Sequence, residues 1–307
     1  MYQTDKKAIL LATYNGEKYI TEQIESIRRQ TDQDWVLYIH DDGSTDATAD
    51  IIREYENQYP ERIRIVEGAP TGSAKNNFFY LIGQVEAPYY LCCDQDDVWL
   101  PNKIEITTQA MHAIEQDGAP CLIFTELRVV DERLNVVAEK MSSYQGLDCE
   151  HVTFNRLLIQ NVVTGCTTMI NRRLRDEMIR LHDCTDALMH DWWAPLIASK
   201  YGNIHFVTEP TILYRQHGTN SVGAQNANTV SYMLKRLRQG GKIKESLKNT
   251  RKQAALFASV YESGQHSVAY EYGNLAKKNK FARLMFYKKH DIRKSTLAKN
   301  LGLLIWG

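Results

Sequence analysis

Short apolar, β-branched runs recur through the N-terminal third of the chain, separated by stretches of helical period. The runs are Ala8-Ile9-Leu10-Leu11, Trp35-Val36-Leu37-Tyr38-Ile39, Ile63-Arg64-Ile65-Val66 and Tyr89-Tyr90-Leu91-Cys92-Cys93, each with the length and composition of a strand. Between the first two, Ile20, Ile24 and Ile27 fall at i, i+4 and i+7, predicting a helix that ends before Thr31-Asp32. Between the second and third, Ser44-Thr45-Asp46 offers N-capping side chains to a helix carrying Ile51, Ile52 and Tyr55, which stops at Tyr59-Pro60. Repeated β-α-β units with right-handed crossovers leave one economical solution, a mostly parallel α/β sheet wound on both faces by helices.

In such sheets ligands bind beyond the carboxyl ends of the strands, where the crossover direction reverses. The residues at those ends are polar and acidic: Thr13-Tyr14-Asn15-Gly16, His40-Asp41-Asp42-Gly43 and Asp94-Gln95-Asp96-Asp97. Carboxylates crowded at one edge raise each other's pKa unless a cation lies among them. The D-x-D spacing of Asp94 and Asp96 suits Mg²⁺ or Mn²⁺, which keep waters and ligand phosphates in their shells. Turn and helix-capping roles account for Ser44 or Thr45 but not for the further carboxylates upstream. Nucleotide-binding alternatives lack their signatures: Gly68 to Lys75 is not G-x-x-x-x-G-K-[ST], and no G-x-G-x-x-G follows the first strand.

The 307 residues include 37 Lys or Arg and 37 Asp or Glu. A balance of zero excludes a uniformly basic nucleic-acid binder. The 43% hydrophobic content is that of a folded chain, and the length allows one large domain or two ordinary ones. No apolar stretch approaches the ~20 residues needed to cross a bilayer, and Met1 to Lys7 lead into no signal-peptide core, so a cytosolic location is expected. Six cysteines without a C-x-x-C spacing predict reduced thiols rather than a zinc or redox site. Leu122-Ile123-Phe124 and Thr167-Thr168-Met169-Ile170 continue the strand signals, and Trp192, Trp193, Leu196 and Ile197 predict a further helix.

Ala12-Thr13-Tyr14-Asn15-Gly16, Asp41-Asp42-Gly43-Ser44-Thr45-Asp46, Asp94-Gln95-Asp96-Asp97-Val98-Trp99, His190-Asp191-Trp192-Trp193 and Tyr214-Arg215-Gln216-His217-Gly218-Thr219-Asn220 occur in that order. Together, over about residues 6 to 223, they resemble family 2 glycosyltransferases of the GT-A fold, and most of all the bacterial rhamnosyltransferase branch that builds cell-wall and other surface polysaccharides. The resemblance implies roles. Thr13, Tyr14 and Asn15 would line the nucleotide pocket, and Asp42, with Asp41 beside it, would accept the imide N–H of uracil or thymine. Lys75 and Asn76 would reach the nucleotide sugar, and Asp94 its ribose or sugar side. Asp96 and His217 would hold the Mn²⁺ or Mg²⁺ that bridges the donor diphosphate. Asp191 would be the catalytic base, with a second role open as N-cap of the Trp192 helix. Trp192 and Trp193 would wall the sugar or acceptor, with one of them core, and Gly165 and Cys166 would form a small-residue turn on the acceptor side. The family often has Glu before the base; His190 here removes any second carboxylate role.

The implied activity is inverting transfer of a sugar, L-rhamnose from dTDP-rhamnose in the first instance or another dTDP- or UDP-hexose, onto a lipid-linked glycan. A sugar-1-phosphate nucleotidyltransferase would need a Gly-rich basic loop after the first strand, which Ala12 to Glu17 is not. An inactive carbohydrate-binding scaffold would have no use for Asp96, Asp191 and His217 together. The expected organisation is a catalytic domain over 1–225, its nucleotide half about 1–100 and its acceptor half about 101–225, followed by a helical region over 226–307. Tyr232–Gly307 carries 17 Lys or Arg against four acidic residues, a net +13 balanced by −13 upstream. Lys235-Arg236-Leu237-Arg238, Lys242, Lys244, Lys277-Lys278, Lys280, Arg283 and Lys288-Lys289 interleave with Leu, Phe, Tyr and Met, as in helices that lie on an anionic membrane. The alternatives are a solvated face packed on the catalytic domain or a contact with a second copy of the chain. Peripheral attachment at the inner face of the cell membrane is the expectation.

Overall fold

A computed structural model describes residues 1–115, 118–218, 240–263 and 266–307. Thr219, Asn220, the 225/226 boundary and the run Lys235-Arg236-Leu237-Arg238 lie outside the described residues. The strands are β1 (Tyr2–Gln3), β2 (Lys7–Thr13), β3 (Trp35–Asp41), β4 (Ile63–Ile65), β5 (Val85–Glu86), β6 (Tyr89–Asp94), β7 (Val98–Trp99), β8 (Cys121–Val130), β9 (Val136–Ala138), β10 (Met169–Asn171) and β11 (Asn203–Arg215). Helices α1 (Ile20–Arg28), α2 (Thr48–Gln58), α3 (Ala74–Gln84), α4 (Lys103–Ile114), α5 (Met141–Gln145), α6 (Phe154–Leu157), α7 (Arg172–Met178) and α8 (His190–Tyr201) flank them. Helices α9 (Gly240–Tyr261), α10 (Val268–Gly273), α11 (Lys280–Lys289) and α12 (Leu297–Trp306) follow.

The main sheet runs β4-β3-β2-β6-β10-β8-β11-β7, with β9 paired to β8. Its first half is parallel throughout, as the β-α-β alternation predicts. The second half is mixed: β10 is antiparallel to both β6 and β8, β11 is parallel to β8, and β7 is antiparallel to β11. Crossover direction reverses between β2 and β6, so the crevice forms at the ends of Thr13, Asp41 and Asp94.

Side-chain alternation feeds two apolar layers. Ala8, Leu10 and Ala12 of β2 face one layer with Tyr38, Tyr90, Phe78 of α3 and Trp193 of α8. Ile9 and Leu11 face the other, with Ile20, Ile24 and Ile27 of α1 and Ile104 and Met111 of α4. Both faces of β2 are covered, as the apolar run requires of a central parallel strand. Each such Leu or Ile contributes roughly 1.5–3 kcal/mol on full burial. Leu247 and Phe257 of α9 join the layer that holds Trp193, which fixes the basic helices to the α3/α8 face.

Candidate active site

Three strand ends lie side by side, and side chains stitch their loops together. Asp41 accepts Thr13 Oγ1 at 2.9 Å and the Ser44 N–H at 2.8 Å on its two oxygens, so it fastens β2 to the turn after β3. Asn15 adopts φ +49°, a conformation Asn tolerates, and its Oδ1 accepts the Thr45 N–H at 2.8 Å. The Gln95 amide brackets the Tyr14 backbone, accepting its N–H at 2.8 Å and donating to its carbonyl at 2.9 Å, while the Tyr14 ring stays exposed. Asp42 accepts the Thr71 N–H, Thr71 Oγ1 at 2.8 Å and the Gly72 N–H at 3.1 Å, all on Oδ1. Gly43 turns at φ +84°, where a Cβ would stand 2.9 Å from Pro70. Asn76 donates to the Thr71 carbonyl at 3.0 Å, so the loop over the crevice is held from both sides.

Two predicted details are corrected here. Helix α2 begins at Thr48 rather than after a Ser44 or Thr45 cap: Asp41 holds Ser44, Asn15 holds Thr45, and Asp46 accepts the Thr48 N–H at 3.0 Å. Lys75 does not face the crevice. Its ammonium donates to the carbonyls of Cys184, Ala187 and Thr185 at 2.9, 3.0 and 3.2 Å, tying the loop before α8 to α3.

Beyond β6, Asp96 Oδ2 meets His217 Nε2 at 2.7 Å, a carboxylate and an imidazole brought together from loops 121 residues apart. The His217 ring stacks on Tyr19 with centroids 4.9 Å apart. Arg215 fixes this junction: its Nε donates to the Asp96 carbonyl at 2.9 Å, one terminal nitrogen to the Glu132 carbonyl at 2.7 Å, and the other pairs with Glu22. Its backbone N–H reaches Asp97 Oδ1 at 3.2 Å.

A second group, Asp94, Asp97 and Cys166, has ligand atoms all within 4.8 Å of one another. Burial pushes Asp97 and Cys166 well above their ordinary pKa values, and the charges of Asp96 and Asp94 push Asp97 further. A protonated thiol is a poor partner for Mg²⁺ or Mn²⁺. The oxygen and imidazole nitrogen of Asp96 and His217 suit a divalent ion better. Burial first, then the charges of Asp96 and Asp191, raise the pKa of Asp94, so the base candidate stands close to the D-x-D loop.

Asp191 lies in the first turn of α8, one residue inside the helix, and it is not the N-cap; Met189 occupies that position without a side-chain bond. Its Oδ2 accepts the Gly165 N–H at 3.0 Å and its Oδ1 the Asn161 amide at 3.2 Å. Half-buried at the start of α8, it has its pKa pushed up to about 7 by desolvation, against the Gly165 N–H. Pro195 stands four residues on and cannot donate to the Asp191 carbonyl; the Asn161 amide does so instead, at 3.3 Å. His190 is buried against Phe78, ring centroids 4.1 Å apart, and burial lowers its pKa to about 3, so it is neutral. A Cβ on Gly165 would stand 2.9 Å from His190 Nε2 and 3.3 Å from Asp191 Oδ2. The close approach expected of that turn is present, and Cys166 beside it is buried.

The two tryptophans part company. Trp192 is half-buried, and its indole N–H donates to the Leu157 carbonyl at 2.7 Å. Trp193 is fully buried between Phe257 and Tyr261 and cannot wall an acceptor; helical spacing sends adjacent residues to different faces. Sequence reasoning missed Asn161, which no motif marks, and the anchoring work of Gln95, Asp97 and Arg215, which were inside quoted motifs.

Residues 8–179 match the family model for Glycosyl transferase family 2. Over 234 residues the chain is 33% identical to the dTDP-rhamnosyl transferase RfbG of Shigella flexneri, covering 72% of this chain and 76% of that protein. Among solved structures, S. aureus TarS 1-349 in complex with UDP superposes with a TM-score of 0.54 at 15% identity, covering 93% of this chain and 91% of that one. The mannosyltransferase PcManGT from Pyrobaculum calidifontis, in complex with GDP-Man and Mn2+, gives a TM-score of 0.50 at 14% identity, covering 96% and 78%. The longer S. aureus TarS chain is spanned over 40% of its length.

Proposed function

The chain belongs to glycosyl transferase family 2, and from that premise we propose that it is an inverting, divalent-metal-dependent hexosyltransferase. Its donor is dTDP-L-rhamnose and its acceptor a hydroxyl of a lipid-linked glycan in surface polysaccharide synthesis. The observation that carries the reading is the pairing of a raised, anchored carboxylate, Asp191, with the carboxylate-lined crevice at the ends of β2, β3 and β6. The donor assignment draws its support from the rhamnosyl transferase relative.

In this reading Thr13, Tyr14, Asn15 and Asn76 frame the nucleotide. Asp42, whose bonds to the loop all fall on Oδ1, offers Oδ2 to the imide N–H of thymine. Asp41 keeps the turn in shape. Asp96 and His217 would hold the metal ion, with Asp94 at the sugar side; when bound, the ion would offset the charge that builds on the departing diphosphate. Asp191 takes the proton of the acceptor hydroxyl as that oxygen bonds to the anomeric carbon. The bond from that carbon to the diphosphate oxygen breaks, and the nucleoside diphosphate leaves with the electron pair. The leaving group needs no protonating acid, so a neutral His190 beside the base is no handicap. Attack opposite the leaving group inverts the anomeric centre. The basic helices favour a post at the membrane surface, where lipid-linked acceptors reside.

A panel of nucleotide sugars, assayed for nucleoside diphosphate release with and without Mn²⁺, Mg²⁺ and a lipid-linked acceptor, tests the proposal. Release from dTDP-rhamnose that needs both metal and acceptor is expected. Preference for a UDP-hexose would overturn the donor, and no turnover with any donor would overturn the activity.

A further inference from the structure

Helices α11 and α12 bury one face each and leave the other apolar and uncovered. On α11, Phe281 and Met285 are 75% and 51% exposed, while Phe286 and Tyr287 are buried. On α12, Leu297, Leu301, Leu304 and Ile305 are 86%, 51%, 52% and 47% exposed and fall at i, i+4, i+7 and i+8, a single stripe. The opposite side of α12 is anchored: Leu303 is buried, and Lys299 donates to the carbonyls of Gln145 and Gly146 at 2.9 and 3.0 Å. The two helices are linked at one end, where the Lys280 ammonium donates to the Ile305 carbonyl at 3.2 Å.

Charge frames this apolar surface. Residues 275–307 carry nine Lys or Arg and a single acidic side chain, Asp291. Lys277 and Lys278 are exposed just before α11, and Lys288 and Lys289 are exposed in its last turn, at i+7 and i+8 from Phe281, where they close that stripe. We propose that the outer faces of α11 and α12 form one docking surface for an anionic lipid bilayer, with Phe281, Met285 and the leucines of α12 entering the interface and the lysines on the headgroups. With Leu303, Gly302 and Lys299 buried against the protein, the exposed stripe of α12 meets a bilayer along its flank, so Leu297–Trp306 lies in the membrane plane. Among the described residues no helix is long and apolar enough to cross. A second copy of the chain is a poorer occupant, because self-pairing of this face brings two lysine rims together.

The surface is fastened to the acceptor half. The Ser295 N–H donates to Gln160 Oε1 at 2.9 Å, and Asn155 donates to the His290 carbonyl at 2.8 Å. Asn161, next to Gln160, holds Asp191. Docking would therefore bring a lipid-carried acceptor to the base-bearing side; this relation to catalysis rests on the proposed function, while the docking itself does not.

Flotation of the full chain with phosphatidylglycerol-rich or phosphatidylcholine vesicles, at low and high salt, tests the proposal. Wild type is expected to float with the anionic vesicles only, and the Leu301→Glu/Leu304→Glu variant to lose about tenfold in bound fraction. Lys277→Glu/Lys278→Glu should weaken binding at low salt and flatten its salt dependence. Circular dichroism and turnover on a water-soluble acceptor should stay as in wild type; should the paired glutamates alter helix content, Leu297→Ser carries the same test. Failure of wild type to float, or variants that float like it, would overturn the surface. So would apolar substitutions that split a dimer while flotation persists, which would assign the face to a second copy. Flotation without glycosyl transfer would uphold the surface and overturn the enzymatic reading instead.

Discussion

Asn161 grips Asp191 twice, donating its side-chain amide to Oδ1 at 3.2 Å and to the main-chain carbonyl at 3.3 Å. The second contact exists because Pro195 leaves that carbonyl without its helical donor. Asn161→Ala should lower kcat about 10- to 100-fold with little change in donor KM, since it frees the base without touching the nucleotide. Losing a donor to the carboxylate also raises its pKa, so the acid limb of the rate profile should move to higher pH. Steady-state kinetics across pH would check both.

Asp191→Asn should remove transfer, by about 10³-fold or more, while donor affinity measured by calorimetry stays within about twofold. As the proposed base, Asp191 would work only when deprotonated, and burial pushes its pKa up to about 7. The rate should therefore climb with pH and level off above 7 on this group's account; a profile flat between about pH 5 and 8 would remove the assignment.

The same raised pKa bears on stability. The folded state retains the Asp191 proton where the unfolded chain has lost it, so this group's contribution weakens stability as pH rises from the ordinary carboxylate range through about 7. Asp191→Asn cannot titrate there. Its melting temperature should fall less than that of wild type between acidic and mildly alkaline buffer, as thermal denaturation at the two pH values would show.

Gly165→Ala places a methyl group 2.9 Å from His190 and 3.3 Å from Asp191. His190 is wedged against Phe78 and cannot yield cheaply. The base should be displaced, with kcat down about 100-fold and donor affinity nearly kept. Single-turnover rates beside equilibrium donor binding separate the two.

Asp96→Asn should weaken donor binding in Mn²⁺ by about tenfold or more and leave metal-free binding nearly unchanged, because that carboxylate, paired with His217, is a proposed ligand of the ion. Calorimetry with and without chelator checks it.

Lys75→Met should act on the fold instead. Removing three charge-assisted contacts to the 184–187 loop should cost about 1–2 kcal/mol in urea denaturation, with donor affinity largely retained.

The parallel half of the sheet was legible because each buried strand reads as an unbroken apolar run: Ala8–Leu11, Trp35–Ile39 and Tyr89–Cys93 fall inside β2, β3 and β6. Strand β11 escaped, because Glu209 and Pro210 interrupt it like a turn; they fall where its register against β8 shifts. The site divides likewise. Asp191 and Asp96 were marked by the motifs of the family resemblance, and the structure adds their partners, Asn161 and Gly165 for the one and His217 for the other. Lys75 was misplaced because a lysine's reach does not reveal its target, and Trp193 because a tryptophan pair does not say which ring points inward. Phe281 and Met285 carry the spacing of a buried face and stand in the open.

Strand β11 pairs with β8 from Asn203–Cys121 to Arg215–Val130, while the region matching the family model closes at residue 179. A gene fragment ending there would carry the recognisable signature without Asp191, Arg215 or His217. It would also leave the long edge of β8 bare, an invitation to sticky self-association. The segment by which such a protein is recognised and the piece that holds the sheet and the candidate site together are thus different lengths of chain, and any truncation or chimera should be cut to the second.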